Sequence, residues 1–93
     1  MKKQKSKKLV SQVTSRLELP KDLMLGEAIV TITGRSDLII ENYKGILEYL
    51  PDRIRLSLKN GQIEICGKAL KIEYYTNDDM RIVGRIDRVE YSI

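Results

Sequence analysis

The chain has 93 residues, with seventeen Lys and Arg against thirteen Asp and Glu, one Cys, no His, no Trp and no Phe. A chain this short buries a single core and has no room for a large enclosed pocket. With no His and with Cys66 alone, it has no ordinary zinc site, no internal disulfide and no Cys–His nucleophile.

The net charge of +4 is unevenly placed. Lys2, Lys3, Lys5, Lys7, Lys8 and Arg16 fall in a leading segment that contains no acid, and the remainder of the chain is mildly acidic. The basic character therefore belongs to an arm and not to the body. Residues 1–8 read as a solvated lysine tract. From about residue 7 to residue 17, Leu9, Val13 and Leu17 recur at helical spacing with Val10 beside them, which predicts a short amphipathic helix. Ser, Thr and Val are weak helix formers, so this helix needs a surface to lie on. No apolar stretch follows the lysines as a secretory signal would require, and no run is long enough to span a membrane. The expected compartment is the cytoplasm.

Pro20 stops any helix, which divides the chain into a basic arm with its helix, residues 1–17, and one β domain, residues 18–93. Strands are predicted at residues 28–33, 38–41 and 46–50, with turns at Gly34-Arg35-Ser36-Asp37, at Asn42-Tyr43-Lys44-Gly45 and at Pro51-Asp52. In residues 53–59 apolar Ile54, Leu56 and Leu58 alternate with polar neighbours, the period of a strand with one buried face. Asn60-Gly61 then signals a type I′ hairpin turn, in which both central residues take positive φ. Further strands are expected at residues 62–66, 69–75, 80–86 and 89–93. Gly67-Lys68, Asn77-Asp78-Asp79 and Asp87-Arg88 would be the turns between them. Short connections predict that sequential strands pair. The expected architecture is all-β: a small antiparallel meander rolled into a sandwich or roll. Ile32-Thr33-Gly34, Ile65-Cys66-Gly67 and Ile82-Val83-Gly84 echo one another, which keeps a short solenoid-like stack as the alternative.

Few residues could carry chemistry. Cys66 lies in a predicted strand and reads as a small half-buried hydrophobe. Asn77-Asp78-Asp79 offers oxygens, but without the spacing of a calcium loop, and suits a β-turn. The acids are mostly scattered singly, which argues against a catalytic carboxylate pair, although the fold sets the separation of any such pair. The residues imply no cofactor, no metal and no enzyme. Tyr43, Tyr49, Tyr74, Tyr75 and Tyr91 are the aromatic set. With Arg53, Arg55 and Lys59 they could stack and clamp single-stranded nucleic acid, or they simply cap a small core; an acidic body favours the second. The lysine tract confers solubility, or holds an anionic membrane face with Leu9, Val13 and Leu17 docking, or binds nucleic acid. An open strand edge, expected at residues 89–93, would allow self-assembly or strand addition by a protein partner.

Several segments, taken in order, resemble the YabP/YqfC family of sporulation proteins. They are Leu17-Glu18-Leu19-Pro20 leading to Ile32-Thr33-Gly34, then Asn60-Gly61-Gln62-Ile63-Glu64-Ile65-Cys66-Gly67, then Leu70-Lys71-Ile72-Glu73-Tyr74. Met80-Arg81-Ile82-Val83-Gly84-Arg85-Ile86 completes the set, and the chain is most similar to the YqfC branch. The resemblance runs from about residue 17 to residue 93. It implies a role in the mother cell, in building the spore envelope and its coat, carries over no catalytic residue or cofactor, and reads Gly34, Gly67 and Gly84 as fold-defining turns beside Asn60 and Gly61. The residues then suggest an assembly or interaction module, peripheral at the forespore surface; the alternative is a small nucleic-acid-binding β domain.

Overall fold

The computed structural model describes residues 26–93; the lysine tract, the expected helix and the Pro20 boundary lie outside the described residues. Six strands follow: β1 (Ile29–Thr33), β2 (Asp37–Glu41), β3 (Gly45–Leu50), β4 (Arg53–Leu58), β5 (Gly61–Tyr75) and β6 (Asp79–Ser92). All pair antiparallel in one sheet of order β1-β2-β6-β5-β4-β3. The described residues are thus all-β, and antiparallel pairing throughout sets the solenoid alternative aside.

Three expectations need correction. Residues 62–75 and 80–92 are two long strands and not four short ones, so Gly67-Lys68 and Asp87-Arg88 are not reversals. The β5–β6 pairing shifts register near Cys66/Gly67, Lys68/Lys71 and Ile72/Tyr74, so the break is a set of bulges that bends the hairpin. β2 and β3 are consecutive yet do not pair; β2 lies against β6 instead. At Asn60-Gly61 the chain reverses through Lys59 and Asn60, with Leu58 opposite Gly61. Positive φ falls on Gly61 alone, at 113°, so the turn is not type I′.

The bend explains two of the glycines. A Cβ on Gly67 would lie 1.8 Å from the Arg85 carbonyl oxygen, and one on Gly84 would lie 2.4 Å from that of Ala69. Both are therefore points of close strand approach inside β5 and β6, not turns. Backbone groups freed by the bulges are taken up by the hairpin turns. The N–H groups of Gly67 and Leu70 donate to Asp52 and Pro51, and those of Gly84 and Ile86 donate to Ser36 and Arg35.

Each side of the bend forms one half of the sheet. One half holds β1, β2, residues 79–83 of β6 and residues 71–75 of β5; the other holds β3, β4, residues 61–66 of β5 and the end of β6. Leu38, Ile40, Met80 and Ile82 of the first half, and Ile54, Leu56, Ile63 and Ile65 of the second, are wholly buried in one cluster. A flat sheet would leave these faces wet. Their burial means that the halves close on each other, so the meander is folded as a small sandwich. Each such side chain contributes about 1.5–3 kcal/mol by leaving water. Tyr43, expected in a turn, joins this core and donates its hydroxyl to the Thr76 carbonyl.

Candidate functional site

Folding one sheet across a bend leaves four strand segments with one unpaired side among the described residues. They are β1, β3, residues 71–75 of β5 and residues 88–92 of β6. The edge expected at residues 89–93 is thus one of four, and that segment is paired with β5 on its other side.

These edges differ chemically. The β6 segment carries Arg88 and Glu90, and the β5 segment carries Lys71 and Glu73. Charges on an edge oppose pairing with another chain. β3 is apolar, with Ile46, Leu47, Tyr49 and Leu50 exposed, but it is blunted in other ways. Its pairing with β4 is bulged between Ile46 and Glu48, Pro51 follows it, and the Tyr49 hydroxyl accepts the Ile72 N–H at 3.0 Å. β1 has none of these features. Its five residues, Ile-Val-Thr-Ile-Thr, carry no charge and pair with β2 without a bulge. Val30 and Ile32 lie opposite buried Ile40 and Leu38, hence on the core face, yet Ile32 is 47% exposed because nothing described lies beyond it. Residues 28–34 contain no charge, a signal present in the sequence; that they form an edge depends on the fold.

The residues weighed for nucleic acid are differently disposed. Arg53 and Arg55 both donate to the Glu48 carboxylate, at 3.1 and 3.0 Å, and Arg55 also reaches Gln62 at 3.2 Å. These hydrogen bonds, Arg55's first, hold the Glu48 carboxyl below its ordinary pKa. Glu64 lies 3.6 Å from Arg53, and Lys59 approaches Glu27 at 4.0 Å. These three bases are thereby matched by acids. Tyr74, Tyr75 and Tyr91 are exposed. The other half has its own clamp: Arg81 grips Asp37 through two hydrogen bonds and lowers its pKa.

Other candidates resolve locally. Cys66 is half-buried, with an Arg88 N–H pointing at its sulfur from 3.3 Å. Thr76 Oγ1 accepts the N–H groups of Asp78 and Asp79, and the Thr76 N–H reaches the Asp79 carbonyl, so this acidic stretch is a tight turn. No cluster of potential metal ligands occurs among the described residues. Gly34 and Asn60 lie in turns, and Gly61 opens β5 directly after one. Lys2, Lys3, Lys5, Lys7, Lys8, Leu9, Val13 and Leu17 lie outside the described residues.

A folded sheet bent near Gly67 and Gly84 can be set beside known proteins. The model of the YabP family matches residues 25–93, which is the whole of this sheet. The chain belongs to the YabP family. It is 34% identical over 88 residues to the uncharacterised protein YqfC of Bacillus subtilis (strain 168), covering 95% of both chains. That match is too long for the sheet alone and extends into the N-terminal segment. The YabP/YqfC family is associated with sporulation.

Proposed function

We propose that this protein is a non-enzymatic assembly module of sporulation, acting in the mother cell while the spore envelope and its coat are built. The single observation that carries the reading is the β1 edge, charge-free, unbulged and flanked by half-exposed apolar residues of the core face. Such an edge has the chemistry to add a strand from another chain. The absence of His and of a second Cys supports a binding role over catalysis.

Residues 1–17 would hold the sheet near an anionic surface such as the forespore membrane. Lys2, Lys3, Lys5, Lys7 and Lys8 would attract, at roughly 1 kcal/mol for each base near the lipid, and Leu9, Val13 and Leu17 would dock. A fluorescent fusion followed through sporulation tests the reading. It should outline the mother-cell side of the forespore, and removal of residues 1–16 should release it. A diffuse or nucleoid-bound signal from the intact chain would reject the reading and favour the nucleic-acid alternative.

A further inference from the structure

We propose that two copies of this chain pair through β1 in an antiparallel, two-fold arrangement centred on Thr31, joining their sheets into one. The inference rests on the assembly reading above and names the partner as a second copy.

Matching of faces limits the register. Val30 and Ile32 share the core face, and Ile29, Thr31 and Thr33 share the other. A pairing that sets like faces together and uses all five residues places Thr31 opposite Thr31 of the second copy. Val30 then faces Ile32 of that copy, and Ile32 faces its Val30. Both contacts continue the row that Ile40 and Leu38 make inside each chain. Ile32, exposed in the single chain, gains an apolar neighbour.

Charge supports a copy over an unrelated strand. A two-fold axis brings identical residues together, so any charge near the centre of the edge would meet its like. β1 has none. The charges flanking it are opposite in sign: Glu27 before the strand and Arg35 in the turn after it. Antiparallel pairing about Thr31 brings Glu27 of each copy to the end where the other carries Arg35. Within its own chain the Glu27 carboxylate lies 4.0 Å from Lys59 and accepts from Asn60 at 3.3 Å, and half of its side chain stays exposed. The bulged edge β3 and the charged ends of β5 and β6 have no comparable self-match.

The test uses the full chain in analytical ultracentrifugation, with circular dichroism as the check on folding. The wild-type protein should sediment at twice the 10.7 kDa chain mass. Thr31→Lys puts two ammonium groups together at the axis and should return the protein to the monomer mass with an unchanged spectrum, while Thr31→Val stays dimeric. Should the lysine variant misfold, thiol crosslinking decides the question. In a Cys66→Ser background, Thr31→Cys should give a disulfide-linked dimer under mild oxidation, because facing residues lie about 4.5–5.5 Å apart. Ile29→Cys should not, since its copies would sit about 13 Å apart along the strand. A monomeric wild type, a dimer that survives Thr31→Lys, or equal crosslinking at both positions overturns the proposal. A monomer that still outlines the forespore would leave the assembly reading standing with a different partner.

Discussion

The two hairpins β1–β2 and β3–β4 occupy matching places in the folded sheet. Each is an outer strand, a turn lying against a bulge in β5 or β6, and an inner strand whose alternate residues fill the core. Their inner strands are interchangeable in chemistry: Leu38 and Ile40 on one side, Ile54 and Leu56 on the other. The outer strands are not. β3 is bulged, tied to β5 through Tyr49, and carries Glu48 under two arginines; β1 is straight and neutral. The lesson is that burial sets the inside of a hairpin alike in both halves, while the outside is free to be closed or left open to a partner.

The comparison can be broken most forcefully at the bend. Gly67→Ala drives a methyl into the Arg85 backbone, and Gly84→Ala into that of Ala69. Each should cost more than about 3 kcal/mol, read as a drop in the denaturant midpoint. Gly34→Ala, in open space with φ at +61°, should cost only about 1–2 kcal/mol. Equal losses at all three would mean that close approach of β5 and β6 is not what the bend requires.

Core truncation comes next. Leu38→Ala and Leu56→Ala should each lose about 2–5 kcal/mol, and both should melt in one transition because the halves share a core. Two separate transitions in calorimetry would show that the halves are independent. The tie across β3 is smaller: Tyr49→Phe deprives the Ile72 N–H of its acceptor and should cost about 0.5–1.5 kcal/mol by urea titration.

Acid sharpens the comparison least but touches both halves. Glu48 and Asp37 are each held below their ordinary values, 4.5 and 3.8, by arginine hydrogen bonds. A carboxyl with a lowered folded pKa stabilises fully above its unfolded value, and that contribution fades as pH falls through the folded one. The melting temperature should be level above about pH 5 and decline below about pH 4. Glu48→Gln and Asp37→Asn should each remove part of that decline. A slope that neither variant changes would place the acid sensitivity elsewhere.

Much of the fold was legible in the residues. Alternation marked β4 and the first part of β5, and glycine, proline and Asx clusters marked the reversals near Gly34, Pro51, Asn60 and Asn77. The same vocabulary misled at Gly67 and at Asp87-Arg88. A glycine signals that the backbone can bend or approach another strand, and only what lies across from it decides between a turn and a bulge. Tyr43 stood in a loop by composition, yet its ring is core because the loop crosses the end of the folded sheet.

The sequence by itself determined the secondary-structure class, the alternation that divides core from surface and the lack of His and of a second Cys. These follow from local period and residue chemistry. Only the tertiary structure decided that β2 turns away from β3 to lie on β6, and that the sheet closes on itself at Gly67 and Gly84. It alone decided that, among the described residues, the charge-free strand is an edge. Pairing between strands distant in sequence depends on which faces can be buried together, and no residue carries that information alone.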